Sequence, residues 1–357
     1  MMERLKSKLE KIGRDPIITA KSVGLRYSIN INNGFYRIRK GEGFEFVDEN
    51  KKKVYNKDIL ERINKLVIPP AWESVWISPF ENGHLQATGI DTKGRKQYRY
   101  HAQWNKIRNQ SKFYRLRSFA KALPAIRKQV EIDLNKKGLP YEKVVALVVK
   151  LIELTNIRIG NDAYKKLYGS FGLTTLQDKH VKFQSSKTYF DFVGKKGVTH
   201  KISLESTKLA RLVKRCKDIP GQDLFQYYDD DGNHKTISSS DINNYLKNVT
   251  NEDFTAKDFR CWAGSVNALG AFQKLAQPET QPEFKRKVIE VLDEVAVKLG
   301  NTRTVCKKYY VHPTVIAAFE RGSIWNYKPS NTDSELIGEE YALVILLENE
   351  TIAEVLG

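Results

Sequence analysis

The sequence predicts an α+β protein, with a β-rich N-terminal domain over residues 1–105 and a mainly α-helical domain with a small antiparallel sheet over residues 106–357. The apolar pattern changes from alternation to three-and-four spacing near residue 102. The helical pattern is then interrupted over residues 172–204 by strand-like runs around a tip with hairpin chemistry, Gly194-Lys195-Lys196-Gly197. A length of 357 residues with 41% hydrophobic residues suits two domains, each with its own core.

In the first domain a short amphipathic helix (Leu5, Leu9, Ile12) leads into alternating segments Gly24–Ile31, Tyr36–Arg39 and Phe44–Val47, with turn residues at Asn32–Gly34 and Asp48–Lys51. A helix is expected at Lys57–Leu66, stopped by Pro69 and Pro70. Val75–Ser78, His84–Gly89 and Arg95–Tyr100 read as further strands. On the last of these Gln97 and Arg99 point one way, and Lys96, Tyr98 and Tyr100 the other. Cations there can reach phosphates and Gln97 can read an adenine edge. An edge strand whose charges deter aggregation has the same pattern, and the local sequence leaves both readings open.

The second domain reads as helices Lys106–Phe119, Ala125–Leu134 and Tyr141–Ile157, then strands Thr174–Leu176, His180–Gln184, Thr188–Val193 and Val198–Ser203. Helices resume at Ser206–Cys216, Asp241–Asn248, Ala256–Lys274 and Glu283–Leu299, and a short one follows through the paired Tyr309 and Tyr310. The acidic tail, residues 332–357, is expected to pack as an edge strand and helix with Tyr341, Leu343, Ile345 and Leu347 on one face.

The net charge is +18, divided as +8 over residues 1–105, +17 over 106–332 and −7 over 333–357. Two basic regions fit a polyanion that touches both, DNA or RNA first; a solubilising surface is the bland alternative. No apolar run reaches the length of about 18 residues that a membrane span needs. The charged start, Met1 to Lys11, lacks the apolar centre of a signal peptide, so the cytoplasm is the expected compartment. Cys216, Cys261, Cys306 and six scattered histidines suggest neither a disulfide framework nor a metal cage, and no cofactor is expected.

Several residues have two readings when taken singly. Arg158, just after an apolar helix, is either ion-paired with Asp162 or another acid, or aimed at an anionic ligand. Lys195 on its tip is either idle in solvent or an ammonium delivered into a complex. Tyr309 and Tyr310 are either rings packed on a basic helix or, beside Lys307 and Lys308, a phosphate-directed nucleophile whose phenolate the cations favour.

In combination these residues resemble the type IB DNA topoisomerases, in the small two-domain form of poxviruses and bacteria. The likeness runs through Gly94-Arg95-Lys96-Gln97-Tyr98, Ile157-Arg158-Ile159-Gly160-Asn161 with Tyr164, Phe192-Val193-Gly194-Lys195, Asp258-Phe259-Arg260, and Gly300-Asn301-Thr302 through Tyr310-Val311. It implies the fold of the tyrosine recombinase and type IB topoisomerase superfamily, and ATP- and metal-independent relaxation of supercoiled duplex DNA by a monomer that clamps the duplex. It further implies Tyr310 as the nucleophile forming a 3′-phosphotyrosyl link, with Tyr309 a neighbour. Arg158, Arg260 and Asn301 would act as donors to the phosphoryl oxygens and Lys195 as general acid, while Arg95, Lys96, Gln97, Tyr98, Tyr100 and Tyr164 would contact DNA. Asn301 stands where the poxvirus form has histidine, which suits a hydrogen-bond donor and not a base and points to the bacterial form. Tyrosine recombinases share the chemistry, but place histidine where this chain has Lys257. His312 is expected to cap or pack beside Pro313.

Overall fold

The structure is a computed structural model that describes residues 15–28, 33–41, 43–92, 94–329, 336 and 338–349, with the backbone alone at 109–114. The expected helix at Leu5, Leu9 and Ile12 lies outside the described residues. Two compact units divide the chain between Arg115 and Leu116. No described helix is long and apolar enough to cross a membrane.

The first unit begins with helix α1 (Pro16–Ser22), whose N-cap Asp15 accepts from the amides of Ile17 and Ile18. It is followed by β1 (Phe35–Lys40), β2 (Gly43–Val47), α2 (Lys57–Lys65), β3 (Glu73–Ile77), β4 (Leu85–Ile90) and β5 (Lys96–Tyr100). The five strands form one antiparallel sheet in the order β2-β1-β3-β4-β5. Alternation sends Val75, Ile77 and Ala87 inward against Ile63 of α2, with Phe35, Phe46, Ile59 and Trp72 around them. Burying a side chain such as Ile63 contributes about 1.5–3 kcal/mol, which fastens an otherwise marginal nine-residue helix to the sheet. Asn56 caps its start through the amides of Asp58 and Ile59. The strand expected at Gly24–Ile31 does not form over residues 24–28, where the backbone makes a single bridge from Arg26 to Gly83. Tyr27 instead stacks on the His84 ring, 4.2 Å between centroids, so its alternation records a side-chain contact and not a ladder.

The second unit is built around α4 (Tyr141–Thr155), which buries Val144 to Val149, Leu151 and Ile152 and is therefore apolar on almost every side. Against it lie α3 (Ala102–Leu134), which the unit division cuts, and α6 (Thr207–Lys217), α7 (Ser239–Thr250) and α8 (Ala256–Gln273), while the short α5 (Asp162–Tyr168) buries no residue. The chain closes with α9 (Gln281–Leu299), α10 (Arg303–Tyr309), α11 (Pro313–Glu320) and α12 (Glu339–Asn349). Strands β6 (Val181–Gln184), β7 (Lys187–Val193) and β8 (Thr199–Glu205) form a three-stranded antiparallel sheet, and β9 (Gln226–Tyr228) pairs with β10 (His234–Thr236) in a hairpin the sequence pattern did not announce.

Three expectations are corrected here. The helix does not break before Ala125: α3 runs through Pro124, because Leu116, Phe119, Leu123, Ile126 and Val130 bury one continuous face. Thr174–Leu176 is not a strand but part of a tight turn, in which the Thr175 hydroxyl donates to the Gly172 carbonyl at 3.1 Å and accepts from its amide at 3.0 Å. The tail segment read as an edge strand is helical over Glu339–Asn349, burying Leu343, Leu346 and Leu347 at helical spacing, whereas Ile345 is not among its buried residues.

Candidate active site

Helix α4 ends on Asn156 in the left-handed conformation (φ 56°), which turns the chain so that Arg158 leaves the apolar core. The Gly172 turn holds this segment, with Leu173 and Thr174 amides donating to the carbonyls of Arg158 and Ile159 at 2.8 and 2.7 Å. The Arg158 guanidinium donates to the Gly300 carbonyl at 3.3 Å and to the Asn301 side-chain oxygen, and it lies within electrostatic reach of Tyr310. It forms no ion pair with Asp162 or any other described acid. Burial, followed by the nearby Arg260 charge, pulls its pKa below the ordinary value of 12.5.

Arg260 enters from α8 and is 4% exposed. Its terminal nitrogens donate to the carbonyls of Asn156 and of Leu299, the latter at 2.7 Å, and its buried Nε has no partner among the described residues. Neither arginine is matched by a carboxylate. A buried guanidinium beside a half-buried one, neither paired with a described carboxylate, forms a site short of an anion, since a cation taken out of water is stable only when paired or richly hydrogen-bonded.

Tyr310 lies at the end of α10, outside helical geometry (φ −127°, ψ −31°), with its amide on the Cys306 carbonyl at 3.0 Å and its own carbonyl accepting from Ser265 Oγ at 3.2 Å. It is 9% exposed, and the Arg260 guanidinium lies 5.0 Å from its ring centroid. Tyr309 has Lys308 5.4 Å from its ring, and its carbonyl accepts from Cys261 Sγ. Asn301, on the loop that ends α9, gives its oxygen to Arg158 and donates from Nδ2 to the Leu299 carbonyl at 3.3 Å. His312 caps α11, its Nδ1 accepting from the Thr314 amide at 3.2 Å.

Lys195 stands apart from this cluster. The tip that carries it is shaped by Lys196 in the left-handed region (φ 66°), and its ammonium sits 5.7 Å from the centroid of the Tyr164 ring on α5. The structure thus brings Arg158, Arg260, Asn301 and Tyr310 together, and pairs Lys195 with Tyr164. Beside the cluster opens a cleft of about 310 Å³, lined among others by Asn156, Val198, His200, Val297 and Asn301. His200 was passed over as one of six scattered histidines. The signal that marks it is the β8 alternation, which puts it on the inward face with Ile202 and Leu204.

In the first unit the six-residue run from Arg95 to Tyr100 shows the expected two faces. Lys96 lies 5.9 Å from the Tyr98 ring, and Tyr98, half exposed, stacks on Tyr100 with centroids 5.9 Å apart. Burial, the largest cause, pushes the Tyr100 phenol up from its ordinary value of 10.0. Arg95 and Gln97 both bind Asp91 Oδ2, at 2.6 and 2.8 Å, so base reading by Gln97 requires it to leave that carboxylate. Arg99 donates to the carbonyls of Leu66 and Val67.

A helical unit around a small antiparallel sheet, with a tyrosine beside two guanidiniums, defines the tyrosine recombinase and type IB topoisomerase class of fold. Within that class the comparisons are specific. A family model described as "Eukaryotic DNA topoisomerase I, catalytic core" matches residues 101–331, and one described as "Bacterial DNA topoisomerase IB, N-terminal domain" matches residues 43–91. DNA topoisomerase 1B of Acanthamoeba polyphaga mimivirus is 31% identical over 312 residues, covering 85% of this chain and 93% of the relative. DNA topoisomerase 1B of Vaccinia virus (strain Copenhagen) is 23% identical over 233 residues, covering 64% of this chain and 70% of the relative. The chain belongs to the type IB DNA topoisomerase family.

Proposed function

We propose that this enzyme relaxes supercoiled duplex DNA by a transient single-strand nick, with Tyr310 as nucleophile and without ATP or a bound metal. The Tyr310 phenolic oxygen attacks a backbone phosphorus and loses its proton to water. The bond from phosphorus to the 5′ oxygen breaks, and that oxygen leaves with the electron pair and takes a proton from Lys195 Nζ. The energy of the phosphodiester is kept in the 3′-phosphotyrosyl bond, so the 5′ hydroxyl can reverse the attack after the strand has turned.

The observation that carries this reading is the pair of guanidiniums around Tyr310, Arg260 buried and Arg158 half-buried, with no carboxylate among the described residues paired to either and an unpartnered Nε on Arg260. A phosphoryl group is the anion such a site lacks. Charge that builds on its nonbridging oxygens would draw Arg158 and Arg260 away from the carbonyls of Asn156, Leu299 and Gly300, each contact contributing about 3–4 kcal/mol to the transition state. Asn301 already donates from Nδ2 and serves as a further donor, not as a base.

The basic charge of both regions supports a clamp on the duplex, with the Lys96, Tyr98 and Tyr100 face and Tyr164 on DNA. We place the enzyme's action, as a monomer, in the cytoplasm, where the three buried free thiols stay reduced. The test is a supercoiled plasmid incubated with pure protein in EDTA without ATP. A ladder of relaxed topoisomers that disappears with Tyr310→Phe supports the reading; untouched supercoils with the unsubstituted protein would sink it.

A further inference from the structure

His200 is named in no motif of the family resemblance, yet it stands where two of the proposed functional segments meet. It lies on β8 opposite Phe192 of β7, and the two rings stack with centroids 5.0 Å apart and planes 19° from parallel. One side of the imidazole presses on Gly194, the residue before Lys195: a Cβ there would stand 2.6 Å from Cδ2 and Nε2. The opposite side presses on Gly300, the residue before Asn301, where a Cβ would stand 2.2 Å from Cε1. Both distances are shorter than any real carbon contact, so each glycine makes room for the ring. Neither ring nitrogen hydrogen-bonds to a described residue, so the side chain contributes its width and its stacking and not a polar tie.

A hairpin tip is joined to its sheet only through its base, and here the Gly194 amide on the Val198 carbonyl at 2.7 Å closes that base. Without a spacer the tip could pivot toward or away from the Gly300–Asn301 loop. We propose that His200 is a positioning residue whose imidazole sets the Lys195 hairpin at a fixed distance from the Asn301 loop, so that the ammonium meets the leaving 5′ oxygen when DNA is bound. Burial and the charges of Arg158 and Arg260 hold the ring neutral, consistent with a spacer beside two guanidiniums. The inference rests on the reading of Lys195 as the proton donor.

Oxygen and sulfur leaving groups separate a proton-delivery defect from general damage. A 5′ oxygen must be protonated as it departs, whereas a 5′-bridging sulfur leaves as a stable thiolate and needs no proton. Single-turnover cleavage of both substrates is measured for the unsubstituted enzyme, Lys195→Ala, His200→Ala and His200→Phe. His200→Ala is expected to cleave the oxygen substrate about 10–100-fold slower and the sulfur substrate at near the unsubstituted rate, because misplacing the donor costs what general acid catalysis provides. His200→Phe keeps the stacked ring and should stay within about threefold on both substrates, where a misplacement costs about 100-fold. If Lys195→Ala is not rescued by sulfur, the reading of Lys195 fails. If Lys195→Ala is rescued but His200→Ala is equally slow on both substrates, or unimpaired on both, the spacer role is overturned. Should His200→Ala not fold, a His200→Phe enzyme that is slow on both substrates overturns it as well.

Discussion

Gly264 of α8 and Tyr310 meet backbone to backbone: a Cβ on Gly264 would lie 2.9 Å from the Tyr310 carbonyl oxygen and 3.0 Å from its Cβ. Helix propensity alone says that Gly264→Ala stabilises an interior helical position by about 1 kcal/mol. The close contact opposes it, since overpacking costs about 1–3 kcal/mol and the opposing atoms of Tyr310 are main chain and Cβ, not a flexible tip. Gly264→Ala should therefore lower the unfolding temperature and slow cleavage by shifting Tyr310. A variant more stable than the parent, with an unchanged cleavage rate, would show that the seat of Tyr310 gives way freely.

Arg260→Lys tests the guanidinium geometry. The planar fork serves two carbonyls, of Asn156 and Leu299, while its buried Nε has no partner among the described residues. A lysine keeps the charge but cannot make those contacts at once. Single-turnover cleavage should fall by about 100–1,000-fold, the range for losing an oriented transition-state donor. A rate within threefold of the parent would mean that charge alone suffices.

Much of this site was legible in the sequence because its residues sit at fixed places on regular elements. Arg158 follows a strongly apolar helix, Arg260 is one turn into another, and the interval from Asn301 to Tyr310 spans a loop and a short helix. What was not legible is mostly long-range. No local pattern says that Asp91 holds Arg95 and Gln97, that Lys195 rests on Tyr164, or that His200 fits between two glycines 106 residues apart in sequence, Gly194 and Gly300. The misread segments have the same origin. The break expected between Phe119 and Ala125 does not occur, since burial on both sides of Pro124 keeps α3 continuous, and Tyr341 to Leu347 has an alternation that a helix can also accommodate.

Stability should decline as the solution is made mildly acidic. His84, His180 and His200 each have a pKa held below the ordinary 6.5, with burial the largest cause in every case. The unfolded chain then takes up protons before the folded one, so this contribution is whole above pH 6.5 and is lost progressively as pH falls from there through the lowered folded values. Each of the well-buried pair, His84 and His180, can add a slope of at most about 1.4 kcal/mol per pH unit. Chemical denaturation at pH 7.5 and pH 5.5 checks this, and equal stability at the two values would contradict it.

Glu340 fastens α12 to the rest of the second unit. Its oxygens accept from both terminal nitrogens of Arg127, at 2.8 and 2.9 Å, and from the Trp262 indole at 2.9 Å, while Arg127 Nε binds Glu153 at 2.7 Å. Glu340→Ala takes one carboxylate from a half-buried guanidinium that keeps Glu153, and leaves an indole N–H without its acceptor, and should cost about 1.5–3 kcal/mol. An unfolding free energy within 0.5 kcal/mol or so of the parent would show that water replaces the carboxylate, as it does for many exposed pairs.

The central claim is that Tyr310, and not Tyr309, becomes joined to DNA. The structure separates the two by what they face, Arg158 and Arg260 for one and Lys308 for the other. The direct measurement is to stop a cleavage reaction on nicked duplex with denaturant, digest the covalent complex and map the modified peptide by fragmentation mass spectrometry. The account predicts a 3′-phosphodeoxynucleotide on Tyr310, with Tyr309→Phe leaving the adduct and its rate of formation close to the parent's. An adduct on Tyr309, or cleavage that leaves no phosphotyrosine, would contradict it.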